Sequence, residues 1–298
     1  RSILRLRDGV WRRRRDLRVR SPAQARRFVK RVGYCLFWPT HGLEMPNLLQ
    51  AIAGNGRPLS SGYDDPAIGR SWNWKDEALD KRWWYYGKLI HKRSTLVSLS
   101  LLPAFYALSE NYGDPQDYLV EYREGRLSAE AKAIYEALLE EGPLDAIRLR
   151  QQSRLAGAQA KTRFDRALVE LQADLKVLPT GVAEAGAWHY AFVYDLVDRW
   201  FPSLPEQARS ITVRQARRQI LAVHIGHMVA VEPRHLATAL GWSAAETAAT
   251  VRRMIEEGDL VQIEVEPGRP LVTDPRWARR LRPRPGARRG GRRRRAAG

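Results

Sequence analysis

The stretch LSAEAKAIYEALLEEGPLDAIRLRQQ at residues 127–152, taken with KTRFDRALVELQADLKVLPTGV at residues 161–182, decides the fold. Ser128, ahead of Ala129 and Glu130, is placed to cap a helix, since its side-chain oxygen can accept from backbone N–H groups that a first turn leaves unpaired. Ile134, Tyr135, Leu138 and Leu139 give that helix one apolar stripe, and Gly142-Pro143 stops it. A second short helix is predicted over residues 144–152. A third is predicted over residues 159–175, where Phe164, Leu168, Leu171 and Leu175 are spaced 4, 3 and 4 apart, as one helical face requires. Residues 176–182 read as a strand, residues 184–187 as a turn and residues 188–196 as the returning strand. Helix, helix, longer helix and hairpin is the order of a winged helix-turn-helix, whose third helix can enter the major groove of duplex DNA.

The order recurs further on. Residues 212–227 have a helical pattern, Glu232-Pro233 starts a short helix ending at Gly241, and Ser243 with Glu246 has the capping-box spacing. The helix that follows is predicted to bury Ala244, Ala248, Val251 and Ile255, and Gly258 ends it. Residues 260–265 and 271–273 flank a Pro-Gly-Arg-Pro turn and make a small second wing. The fold class is therefore mainly α (α+β), with tandem winged helices and small hairpins. The chain divides into a basic disordered arm (1–20), an N-terminal winged-helix-like subdomain (21–126), a central winged helix (127–208), a C-terminal winged helix (209–275) and an Arg-rich disordered tail (276–298).

Charge has to be located before it is interpreted. The net charge is +18, but residues 1–31 carry 13 basic and 2 acidic residues and residues 276–298 carry 11 arginines and no acid, so the stretch between them is −4. The runs Arg12 to Arg15 and Arg292 to Arg295 are expected to bind polyanions through counterion release, whatever the core does. Within the core, residues 146–166 hold six basic residues against the single acid Asp165. Arg148, Lys161, Arg163 and Arg166 there, with Arg252 and Arg253 on the second long helix, are the candidate DNA contacts. The single cysteine, Cys35, excludes an internal disulfide and fits a reducing cytoplasm. No run of about 18 apolar residues suggests a membrane span. No Gly-rich phosphate loop or zinc-protease motif occurs, so no cofactor and no metal is expected; His224 and His227 share a helix face without a third ligand.

The N-terminal third is marked by aromatics. Ser21-Pro22 starts a helix with Ala25, Phe28, Val29 and Val32 on its apolar side, Gly33 ends it, and Tyr34 to Trp38 form a compact buried run. Strands are suggested at Leu89-Ile90 and at residues 96–99. Trp72, Trp74, Trp83 and Trp84 follow within a short span, and Trp74, Trp83 and Trp84, near Lys75, Arg82 and Lys88, are candidates to stack on an unpaired base; core packing is the rival reading. Asp76 and Glu77 are candidate general acids or bases if the tryptophans desolvate them, although adjacent residues do not share a helix face.

Taken together, the helix ending Arg31-Val32-Gly33-Tyr34, the following Pro39, the Trp72 to Glu77 block and the sequential winged helices make the chain resemble the winged-helix crosslink-repair DNA glycosylases of the AlkZ/YcaQ type, in particular the AlkZ-related proteins, over about residues 21–275. The resemblance implies winged helices arranged around a DNA duplex and hydrolysis of the N-glycosidic bond of alkylated purines. It also implies a Gln-apolar-Gln or Gln-apolar-Asp pair after that glycine, to position water and steady a cationic sugar. Here the matching segment reads Leu36-Phe37-Trp38, and neither Leu36 nor Trp38 can activate water. The expectation is a duplex-DNA-binding protein, monomeric, cytoplasmic and nucleoid-associated, with lost or altered catalytic residues. The alternatives are an active glycosylase using Asp76 or Glu77, a winged-helix transcription regulator and a protein-interaction module.

Overall fold

The computed structural model describes residues 3–56, 64–109, 111, 113–186 and 189–281. It is mainly helical, with three small antiparallel sheets. The first part contains α1 (Ile3–Val10), α2 (Pro22–Val32), β1 (Tyr34–Leu36), α3 (Leu48–Ala53), α4 (Pro66–Asp80), β2 (Tyr85–Gly87), β3 (Thr95–Val97) and α5 (Leu102–Tyr106). Its strands pair in the order β1-β3-β2. The Leu89-Ile90 strand expectation is corrected: residues 90–92 make one 3₁₀ turn, because His91 and Lys92 have positive φ, which no strand tolerates.

The middle part is α6 (Asp117–Arg123), α7 (Ala129–Glu141), β4 (Leu144–Asp145), α8 (Ala146–Gln152), α9 (Lys161–Ala173), β5 (Val177–Ala183), β6 (Ala191–Leu196), α10 (Val197–Trp200) and α11 (Leu204–Arg209). Ser128 accepts from the Ala131 N–H and its hydroxyl donates to Glu170 of α9, so one side chain both caps α7 and fixes it to α9. Phe164, Leu168 and Leu171 are buried against α7, as their spacing predicts, whereas Leu175, just past the end of α9, is buried in the cluster that holds Leu178 and Val197. Strands pair in the order β4-β6-β5, and residues 187 and 188, expected in the hairpin turn and its second strand, lie outside the described residues.

The last part is α12 (Val213–Met228), α13 (Pro233–Leu240), α14 (Ala244–Glu256), the hairpin β7 (Val261–Glu266) and β8 (Arg269–Thr273), and α15 (Pro275–Leu281). The buried stripe of α14 is Thr247, Val251 and Met254. That corrects the expected Ala244 and Ala248, which are exposed; Thr247 enters the interior because its hydroxyl is spent on the Ser243 carbonyl.

The basic arm expected to be disordered is folded. Trp11 is 2 % exposed and its Nε1–H donates to the His227 carbonyl at 2.7 Å. Arg7 donates to the carbonyls of Met228 and Ala230 and pairs with Glu44. These two side chains satisfy carbonyls that the end of α12 leaves without intrahelical partners. The tail expectation is corrected over residues 276–281, which belong to α15; the Arg292 to Arg295 run lies outside the described residues.

The largest buried cluster joins Trp11, Tyr34, Leu36 and Val97 to Ile220, Leu221, Ile225 and Val272, so the first and last parts share one core. Trp11→Phe keeps most of the buried area and loses the indole hydrogen bond, leaving a buried carbonyl bare. It is expected to cost about 2 kcal/mol in chemical denaturation; an arm irrelevant to the fold would show no change.

Candidate functional site

The site begins at the glycine that ends α2. Gly33 has φ +76°, and a Cβ there would lie 2.4 Å from Val223 of α12, so only glycine brings β1 this close to that helix. From it, β1 sends Tyr34 and Leu36 into the core shared with α12, and Cys35 and Phe37 into a second core formed with α3 and α4. Leu36, at the first position where the resemblance expects a polar residue, is 1 % exposed. Trp38, at the second, stacks on Phe37 at 5.7 Å, meets Trp72 edge-on at 6.0 Å and donates from Nε1 to Ser71 Oγ.

The residue beyond Trp72 is the one that sequence reasoning missed. Lys75 of α4 is fully buried, with Nζ 4.0 Å from the Trp72 ring centre and 4.2 Å from that of Phe192. Tyr86, Tyr190 and Phe37 complete an aromatic box around it. Nζ donates to the Tyr190 hydroxyl at 2.8 Å and pairs with Asp76 at 2.7 Å, and Tyr190 donates to the same Asp76 oxygen at 3.0 Å. Burial lowers the Lys75 pKa to about 8, against the opposing pull of Asp76. Such an ammonium can lose its proton near neutral pH, and an uncharged buried amine is a nucleophile or base. Phe192 and Tyr190 come from the β5–β6 hairpin region, so the box fastens that hairpin to α4. One signal was available in the sequence: Ile68, Ser71, Trp72, Ala78 and Leu79 form the inward stripe of α4, and Lys75 falls in its middle.

The structure separates the two acids. Asp76 faces Tyr190 and Lys75, whereas Glu77 pairs with Lys81 one turn on, outside the box. The base-stacking expectation is corrected for Trp74 and Trp84, which are 8 % and 2 % exposed and packed in the second core, leaving no ring face for a base. Trp83 is half-buried, edge-on to Trp84 and covered by Lys81.

The basic candidates all stand at the surface. Arg148 lies on α8; Lys161, Arg163 and Arg166 lie on the first half of α9, opposite the buried Phe164 and Ala167. Lys161 pairs with Asp165 and Arg163 with Glu130, both as exposed bridges of small energetic consequence. Arg252 and Arg253 are exposed on α14, which packs on α12 and α13. The described residues contain no group of three or more His, Cys, Asp or Glu that could hold a metal ion, and no helix among them is long and apolar enough to cross a membrane.

The chain belongs to the AlkZ-related family, whose model matches residues 19–241. The solved structure of the Streptomyces sahachiroi DNA glycosylase AlkZ shares the fold: TM-score 0.55 and 12 % identity, covering 92 % of this chain and 71 % of that one. No curated protein matches in sequence.

Proposed function

We propose that this protein binds duplex DNA as a repair-glycosylase-like protein built on tandem winged helices, and that the family's water-activating pair is lost from it. The observation that carries the reading is α9, which buries an apolar face and turns Lys161, Arg163 and Arg166 outward directly ahead of the β5–β6 hairpin. The succession α13, α14, β7 and β8 repeats the plan and supports two such modules, at about residues 127–208 and 209–275. Loss of the usual chemistry is supported by Leu36 and Trp38, which offer an alkyl chain and an indole N–H where a water would have to be held. The protein would act in the cytoplasm, at the nucleoid, as a monomer.

The test is binding to intact, abasic and alkylated duplexes by a chain ending at Leu281, across a salt series. Residues 3–20 stay in place, because Trp11 and Arg7 are part of the core. Binding that falls with salt and favours damaged duplex, with no base released, is the expected result. No binding at low salt would leave the helices as protein-contact modules. The second reading, an active glycosylase with altered chemistry, rests on Asp76, the carboxylate paired with Lys75 over the Trp72 ring. Base release abolished by Asp76→Asn and spared by Glu77→Gln would establish it over the first.

A further inference from the structure

Three arginines of the arm are spent on neighbouring acids: Arg7 on Glu44, Arg13 on Asp8 and Arg14 on Asp16. The cations of α2 are not. That helix buries Ala25, Phe28, Val29 and Val32, which turns Arg26, Arg27, Lys30 and Arg31 together to the opposite, solvent side. The helix contains no acid, and none of the four cations forms an ion pair or a side-chain hydrogen bond among the described residues. Lys30 and Arg31, in the last turn, gain from the negative end of the helix dipole. Arg26 and Arg27 lie too early in the helix for that. The pairs Arg26–Lys30 and Arg27–Arg31 also set like charges one turn apart, which opposes the helix.

The charge extends beyond α2. Arg12, half-buried just after α1, is close enough to Arg31 and Arg27 that both add to the effect of its own burial in lowering its pKa. Arg31 also stands in the wall of a recess of about 430 Å³ between α1, α2, α12 and α15, together with Arg276 and Arg280. Arg276 is held by Asp274. Arg280 has no acid partner among the described residues and lies 5.0 Å over the ring of Trp277, whose own Nε1–H is fixed to the Gly226 carbonyl. Arg12, the outer face of α2 and Arg280 therefore make one connected cationic surface, across the join between the first and last parts of the chain.

Exposed, unpaired charge clustered against its own repulsion suits a polyanion. Three features choose among polyanions. The 11 residues of α2 span about 16 Å, the rise of about five base pairs, which fits a row of phosphates better than a single one. The large apolar side chains of α2 are all in the core, so the helix has nothing to insert into a bilayer. No aromatic ring stands on its outer side to stack an unpaired base, and Trp277 is covered by Arg280. The backbone of a duplex meets all three. We propose that the outer face of α2, with Arg12 and Arg280, is a second DNA-contact surface that holds the phosphate backbone of a duplex without reading its sequence. The proposal rests on the reading of the protein as a DNA binder, and it adds a contact on the first and last parts of the chain, outside α9 and α14.

The full wild-type chain is acetylated with N-hydroxysuccinimidyl acetate at low salt, with and without an unmodified duplex of mixed sequence, and each lysine is followed by mass spectrometry. Lys30 reports on α2 and Lys161 on α9; both are exposed. Duplex is expected to suppress acetylation of Lys30. In parallel, Arg27→Gln, Lys30→Gln and Arg31→Gln are combined. Glutamine is a good helix former and no ion pair is lost, so the fold is retained. The slope of log K against log salt should fall by about 0.9 for each phosphate contact removed, about 2.7 for three. Residues beyond Leu281 are common to both proteins, so their contribution cancels in the difference. Protection of Lys30 and Lys161 together upholds both contacts. Lys161 protected while Lys30 stays reactive keeps the DNA reading and overturns this proposal. Lys30 protected while Lys161 stays reactive upholds it and takes the duplex away from α9. Protection of neither overturns this proposal and the role given to α9. Lys30 protected on phosphatidylglycerol vesicles but not on duplex gives the face to a membrane and overturns it too, as does an unchanged salt slope.

Discussion

Lys75→Met is expected to stabilise the protein at pH 7, by about 1–2 kcal/mol, and to lose that advantage as the pH rises toward 10. A lysine whose pKa is brought from 10.5 down to about 8 has its charged form disfavoured in the folded state by roughly 3 kcal/mol. Methionine has nearly the same length, carries no charge to desolvate, and packs well against aromatic rings such as Trp72 and Phe192. The variant gives up the ammonium's hydrogen bond to Tyr190, worth about 1.5 kcal/mol, while the attraction of Asp76 is already contained in the shifted pKa. Asp76 keeps its bond from Tyr190 and is 26 % exposed, so it is not stranded as a buried charge. Exchange of a buried ion pair for well-packed apolar groups commonly has this sign.

The pH dependence follows from linkage. Between about pH 8 and 10.5 the folded wild type has released the Lys75 proton while the unfolded chain still holds it, so wild-type stability rises with pH in that window, by at most about 1.4 kcal/mol per unit. The methionine variant has no such group, and the difference between the two closes. Above pH 10 the buried Tyr34, Tyr85 and Tyr194, held protonated by desolvation, push the other way in both proteins and cancel in the comparison. Paired urea titrations at pH 7, 8, 9 and 10 measure it. A constant loss of stability across that range would mean that Lys75 is a neutral clasp and that its desolvation is of no consequence.

A cation kept at a cost to stability marks a place where sequence and fold pull apart, and such places are where local reading fails. Helix starts were legible because a cap is a contact between near neighbours: Ser21 to Gln24, Ser128 to Ala131 and Ser243 to Glu246 all form as their spacing requires. The apolar stripes of α2 and α9 were legible for the same reason. Lys75 was not, because Phe192 and Tyr190, which bury it, lie more than a hundred residues further on. The arm was misjudged because arginines were counted as charges. Arg7 works instead as a set of donors to the carbonyls ending α12, and Trp11 is the anchor that the count overlooked. At the β1 segment the departure Leu36-Phe37-Trp38 was legible, but its setting beside Trp72 and Asp76 was visible only once α4 was placed.

Replacing Lys161, Arg163 and Arg166 together by glutamate should weaken duplex binding at least tenfold at low salt and flatten its salt dependence. Each phosphate contact releases about 0.9 of a counterion, so loss of three contacts lowers the slope of log K against log salt by about 2.7. The substitutions leave the fold intact, since all three side chains are exposed and the bridges lost, to Asp165 and Glu130, are worth little. The buried face, Phe164 to Leu171, is untouched. The measurement belongs on a chain ending at Leu281, where no arginine beyond that point can hold DNA on its own. Reversal of Arg252 and Arg253 on α14 is the matched control for the second module. A reduced slope from α9 alone assigns the groove to the central helix; from α14 alone, to the other. Equal reductions place both helices on one duplex. If neither changes the slope, the basic faces are solvated surfaces, and the proposal that this member of the AlkZ-related family grips DNA through its winged helices fails.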